Sequence, residues 1–132
     1  MNRTTEPFQL CEDSPQEQDV ALQRFFSAAR RSRVLANCAM TKLIEVTPLL
    51  VDAIASGSGQ GQRIEAVLWS CWNGTHKVGL CDALCGLDTD LGEAVLTLLA
   101  ARTHMGGDAD PILKKIIHLS GSTCPSAITQ PQ

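Results

Sequence analysis

The clearest periodicity along the chain lies in "RIEAVLWSCW", where Ile64, Val67, Leu68, Cys71 and Trp72 recur at i, i+3, i+4, i+7 and i+8. At about 100° per residue these side chains share one face, which predicts an amphipathic helix starting near Gln60. Asn73-Gly74 closes it, since both residues tolerate the left-handed conformation of a helix stop. Upstream, Ser14-Pro15 reads as an N-cap with proline at the first helical position. Leu22, Phe25, Phe26 and Ala29 then mark one apolar face, read as facing a core. Past Arg33 the stripe moves to Val34, Leu35, Cys38 and Ala39. Either the helix breaks near Ser32, or one long helix is covered on two sides in turn.

Thr47-Pro48 repeats the cap-then-proline signal and predicts a short helix through Leu50, Ala53 and Ile54, ended by Gly57. "GSGQGQ" is a turn. Leu80 to Leu87 reads as a short apolar turn of helix. Asp88 or Asp90 caps a longer helix, with Glu93 placed as in a capping box, and Leu91, Ala94, Val95, Leu98 and Leu99 face inward. Gly106-Gly107 ends it, and Asp110-Pro111 starts a last helix carrying Ile112, Ile116 and Leu119, with Gly121 after it. No run alternates apolar with polar over five or more residues, and Tyr is absent, so no strand is expected. The expected fold is all-α: a compact bundle of five or six short helices with disordered tails. A flexible acidic tail covers 1–14, one helical domain 15–120, and a second flexible tail 121–132.

Composition narrows the function classes. The 132 residues suffice for one modest core, and 44% hydrophobic content is ordinary for a globular chain. A net charge of −3 argues against general affinity for nucleic acid or membranes. No basic start followed by an apolar run marks a secretory signal, and no apolar stretch approaches the roughly 18 residues of a membrane span. A cytoplasmic location is expected, with no membrane partner. In a reducing compartment the six cysteines are expected to be free, and the "NGT" triplet at Asn73–Thr75 is read as chance rather than a glycan acceptor.

The stretch "CWNGTHKVGLCDALC" raises the question of a metal. Cys71, His76 and Cys81 are separated by four intervening residues each, and Cys85 follows after three. Zinc favours Cys and His in a tetrahedral set. The paired C-x-x-C of a structural zinc site is missing, however, and Leu68 stands where a zinc knuckle places its first Cys. Packing is the preferred reading: all three thiols fill space as small hydrophobes, and no cofactor is expected.

Arg63 is unusual in the first turn of a helix, where the dipole disfavours a cation. It pairs internally with an acid such as Asp88 or Glu65, or it meets an outside partner. Trp69 is rotated away from the stripe and is covered by another helix or offered to a partner. Arg63, Trp69 and Asp88 are therefore the partner-binding candidates. Arg24, Arg30, Arg31 and Arg33 form the basic cluster, a phosphate-contacting surface if the chain binds DNA. His76, His104 and His118 lie in different segments, and no catalytic residues are identified.

"GSGQGQRIEAVLWSCWNG" followed by "LCDALCGLDTDLGEAVLTLLAARTH" resembles a family of small helical proteins of unknown function carried on proteobacterial plasmids and integrating elements. Gly59, Gln60, Arg63, Leu68, Trp72, Asn73, Leu87 and Asp88 carry the resemblance, over about residues 49–104. The chain departs from that pattern at Cys71, where the family has a second Trp, and in its Cys81/Cys85 pair. The resemblance implies no activity, only an accessory role in mobile-element biology. The expected function is a non-enzymatic accessory protein acting through an unidentified protein partner. The alternatives are a DNA-binding transcriptional regulator, with a helix–turn–helix within 47–73, and a small zinc-binding module.

Overall fold

The structure, a computed structural model, describes residues 14–123. It is all-α, with no strand among those residues. The helices are α1 (Pro15–Ala55), α2 (Gly59–Trp72), α3 (Leu80–Leu84), α4 (Thr89–Met105) and α5 (Asp110–Ser120), with a 3-10 turn at Gly106–Ala109 between the last two. α3 is five residues long. Four helices of more than ten residues thus replace the five or six short ones expected. Of the tails expected at 1–14 and 121–132, residues 1–13 and 124–132 lie outside the described residues.

The difference comes from α1, which runs unbroken for 41 residues. The change of stripe near Ser32 does not stop it, and neither does Thr47-Pro48. Pro48 removes only the N–H that would reach the Ile44 carbonyl. Thr47 acts as no cap: its Oγ1 donates to the Leu43 carbonyl at 2.8 Å. The start is as expected, and stronger. Glu17 N–H donates to Ser14 Oγ at 3.1 Å and Ser14 N–H donates to Glu17 Oε1 at 3.3 Å, a reciprocal capping box.

By its contacts the chain divides into two units, with the boundary after Val34, where one domain over 15–120 was expected. In the first unit every described side chain from Ser14 to Val34 is exposed except Ala29. The second unit holds the core. Ala39, Leu43, Leu50 and Ile54 of α1 join Ile64, Val67 and Leu68 of α2, Ala94, Val95, Leu98 and Ala101 of α4, and Leu113 and Ile116 of α5. α2 is central, touching α3, α4 and α5. In α5 the buried face is Leu113 and Ile116, whereas Leu119, expected inside, is 53% exposed.

The turns follow backbone chemistry. Gly57, Gly106 and Gly121 end helices with positive φ, which only glycine adopts without cost. Asn73 ends α2 differently, in an extended conformation, not the left-handed one expected. Its Oδ1 accepts from Thr75 N–H and Thr75 Oγ1, both at 3.0 Å, so the side chain organises the turn.

Arg102, in the last turn of α4, ties three elements together. Its Nε donates to the Cys71 carbonyl at 2.9 Å, Nη1 to the Gly106 carbonyl at 2.7 Å, and Nη2 to Asp110 Oδ1 at 2.7 Å. The ion pair is partly solvated, so the carbonyl bonds carry most of its value. Arg102→Ala should lower the unfolding free energy by about 2 kcal/mol, read from the shift in urea midpoint at an unchanged slope.

α1 also contains an 18-residue window of mean hydropathy 1.5, of which 17% is buried, so by length and composition it is apolar enough to cross a membrane. The expectation that no apolar stretch approaches a membrane span is therefore corrected: the helix holds one whose average absorbs the one or two charges within it. The core helix of a soluble protein passes the same test, and α1 supplies four residues to this core.

Candidate interaction surface

Helical periodicity places Leu22, Phe25, Phe26 and Ala29 within an arc of about 100°. In the structure this face meets solvent. Phe25 is 65% exposed, Leu22 51% and Phe26 47%, and the two phenyl rings touch each other edge to face at a centroid distance of 5.6 Å. Val20, Val34 and Leu35 are also exposed. Isolated exposed apolar residues are ordinary, but these run together along one helical segment. The expectation that this stripe faces a core is therefore corrected. Periodicity identified the face, and nothing within the described residues covers it.

The basic cluster lies on the same segment. Arg24, Arg30, Arg31 and Arg33 are exposed, and Arg30 Nη2 donates to Ser27 Oγ at 3.2 Å. Among the described residues none of the four forms an ion pair; the one salt bridge is Arg102–Asp110.

The partner-binding candidates Arg63 and Asp88 are engaged inside the fold, at the junction of α2, α3 and α4. Arg63 Nη1 donates to the Cys85 carbonyl and, at 3.3 Å, to the Asp82 carbonyl. The expected acidic partner, Asp88 or Glu65, is thus replaced by main-chain oxygens at the C-terminal end of α3, where partial negative charge favours a cation. Asp88 pairs with Gln60 instead. Asp88 N–H donates to Gln60 Oε1 at 2.8 Å, and Gln60 Nε2 donates to Asp88 Oδ2 at 3.2 Å. Asp88 is the N-cap of α4 and its carboxylate makes no capping bond, while Asp90, expected to form a capping box with Glu93, lies inside the first turn. Gln60, Arg63 and Asp88, read from the sequence as family positions, are braces between helices.

Trp69 is half-covered. Its Nε1 donates to Ser122 Oγ at 2.8 Å, and Ser122 Oγ donates in turn to Glu65 Oε2. The His76 ring meets the indole edge to face at 5.3 Å. Ser122 belongs to the stretch expected to be a tail from residue 121, but its N–H bonds the Ile117 carbonyl at 3.1 Å as part of the stop of α5. Gly121 and Ser122 therefore belong to the fold. The Glu65–Ser122–Trp69 chain escaped sequence reasoning because its members are 57 and 53 residues apart.

The metal candidates do not assemble. Among the described residues no group of three or more His, Cys, Asp or Glu side chains is placed to hold an ion. Cys71 packs against the core, as expected. Cys81 and Cys85 do not: both are exposed, with their sulfurs 3.8 Å apart, so their expected role as buried filling is corrected. Burial pushes the Cys71 thiol up from its ordinary value, opposed by the nearby Arg102 charge. Its folded-state value lies above the unfolded one, so its contribution to stability is present below the unfolded value and is lost as pH rises through the folded one. Thiolate is the reactive form. Cys81 and Cys85 should therefore alkylate with iodoacetamide at least tenfold faster than Cys71 at pH 8, read by peptide mass spectrometry; equal rates would contradict the placement of Cys71.

A second apolar feature lies in the larger unit. Ile44, Thr47, Pro48, Pro111, Ile112, Lys115 and Leu119 line an open groove of about 450 Å³ between α1 and α5. Lys115 is its one ionisable lining residue, so the groove offers apolar contact and no catalytic constellation.

α2, the central part of the expected helix–turn–helix, has Gly61, Ile64, Val67 and Leu68 buried and carries Arg63 as its one cation. It has no free basic face to lay in a groove of DNA.

Comparison with curated proteins gives no match, and comparison with solved structures gives none. The family comparison does match, over residues 45–116, more than half of the chain. That range contains α2, α3 and α4, parts of α1 and α5, and the Gln60–Arg63–Asp88 junction, while the exposed face at Leu22–Ala29 lies outside it. The chain belongs to the family described as "Family of unknown function (DUF7673)".

Proposed function

We propose that this is a non-enzymatic accessory protein that works by protein–protein interaction, through the apolar face of α1 between Val20 and Ala29. The observation that carries the reading is the exposure of Leu22, Phe25 and Phe26 together on one helical segment. Aromatic side chains supply large contact area at low entropic cost, and such residues dominate interface energies. A cytoplasmic location and a role in mobile-element biology belong to the same proposal and rest on the sequence and its resemblance alone.

The test is capture by tagged full-length chain in its native host, comparing the natural sequence with Phe25→Glu. The expected result is loss of the captured protein, a differently tagged copy of the chain included, with thermal unfolding unchanged because the site is exposed. Identical capture by both would overturn the reading.

A second reading, DNA binding, is favoured by the exposed Arg24, Arg30, Arg31 and Arg33. It requires affinity for duplex DNA that falls steeply between 50 and 200 mM salt, about 10³-fold for six or so phosphate contacts. No binding at low salt removes it.

A further inference from the structure

We propose that the segment Pro15–Val34 pairs antiparallel with the same segment of a second copy of this chain, crossing at Phe25 and Phe26. This deepens the interaction reading and rests on it, by naming the partner.

The order of chemistry along the segment carries the argument. Glu17 and Asp19 stand near its start, Leu22, Phe25 and Phe26 in its middle, and Arg30, Arg31 and Arg33 near its end. A two-fold interface must be self-complementary: if one residue meets another, the reverse contact is made too. An antiparallel copy satisfies this, because each acidic end lies on a basic end. A parallel copy sets arginine on arginine.

Register and flank agree. At 100° per residue, Asp19 and Arg30 lie about 20° apart, beside the same edge of the apolar arc. In an antiparallel pair each edge faces its own equivalent, so Asp19 of one copy faces Arg30 of the other. That pairing centres the two-fold between residues 24 and 25. Stacking Phe25 on Phe26 of the second copy centres it between 25 and 26. The two requirements differ by one residue, about 1.5 Å along the axis. The other edge of the arc carries Ala21 and Ala28, which let a second helix approach closely.

The segment needs such support. Its 20 residues make a rod of about 30 Å, and most of a helix's stability in a protein comes from packing of its apolar face rather than from propensity. Within one chain it buries nothing from Ser14 to Val34. Of the two edges beside the apolar arc, one holds Asp19 with Arg30 and the other holds alanines, so the edges carry no net charge for an anionic surface to attract.

The test is the mass in solution of the full-length chain by sedimentation equilibrium. The expected species has twice the 14.2 kDa chain mass, and Phe25→Glu is monomeric with the thermal transition of the natural chain diluted to a monomer. Asp19→Arg alone and Arg30→Asp alone should each weaken self-association about tenfold, and mixing those two variants should restore it, since each then offers the charge the other needs. A monomer for the natural sequence at 100 µM overturns the pairing. If Phe25→Glu still loses a different captured protein in that case, the interaction reading survives without it. A dimer indifferent to Phe25→Glu, or to both charge changes, places the contact elsewhere and also overturns the proposal. So does a monomer that sediments with anionic phosphatidylserine vesicles.

Discussion

Leu68→Ala is expected to lower the unfolding free energy by about 3–5 kcal/mol, while Leu22→Ala, the same chemical change, should move it by less than about 0.5 kcal/mol in chain dilute enough to be monomeric. Leu68 is 0% exposed and lies where α2 meets the rest of the core; Leu22 is 51% exposed. Truncating Leu68 removes the transfer free energy of its lost carbons. It also leaves a cavity that rigid helices on every side close only in part. A total stability of 5–15 kcal/mol is usual for a domain, so the loss is a large fraction of the whole, and Leu68→Ala is expected to melt far below the natural chain. Leu22 is different because its side chain is already in water. The pair therefore tests the central structural contrast of the molecule, an apolar residue inside the core against an exposed one on α1. Urea titration followed by circular dichroism reads both. A cost at Leu22 approaching that at Leu68 would mean that something covers the α1 face in solution, and a second copy at the working concentration is the first candidate. Repeating the measurement at lower protein concentration separates the cases, because stability that comes from association falls with dilution.

The same contrast explains how much could be read from sequence. The stripe Ile64, Val67, Leu68 and the stripe Leu22, Phe25, Phe26 give the same helical signal. The first is buried and the second exposed. Periodicity reports that a face is apolar and leaves open what lies against it, so the helices were legible and the boundary after Val34 was not. Helix stops that depend on one residue's backbone freedom, at Gly57, Gly106 and Gly121, were readable because the cause is local. Thr47-Pro48 misled because a proline inside a packed helix and one at a helix start look alike; packing of Leu43 and Leu50 on either side decides it. Arg63 was noticed as anomalous, but its partners could not be named. Main-chain carbonyls of Asp82 and Cys85 carry no residue identity for a sequence pattern to show. The exposed Cys81 and Cys85 show the limit of a residue's average habit: thiols are usually buried, and these are placed by a five-residue helix with one buried position, Ala83.

Gly61→Ala is expected to destabilise the fold by about 3 kcal/mol, although it adds a single methyl group at a helical position that favours alanine by propensity. The turn "GSGQGQ" contains three glycines with different reasons to be there. Gly57 has φ +71° and ends α1. Gly59 has open space around its missing side chain. Gly61 has neither freedom: a Cβ there would sit 2.0 Å from the Ala53 carbonyl oxygen and 2.9 Å from its carbon. Those are backbone atoms, which cannot rotate aside, so the larger residue must push α1 and α2 apart. That shift would loosen Ile54 and Ile64, which are both buried in the core. It would also strain the cap of α2, where Gly61 N–H donates to Ser58 Oγ at 3.0 Å, because the new methyl would lie 3.2 Å from that oxygen. Gly59→Ala is the control two residues away. It meets nothing, and by restricting the unfolded chain it should leave stability unchanged or raise it by about 0.5 kcal/mol. Thermal denaturation of the two variants separates turn flexibility from close approach. If flexibility were what the stretch required, both substitutions would cost alike; if backbone contact sets the α1–α2 distance, only Gly61→Ala fails.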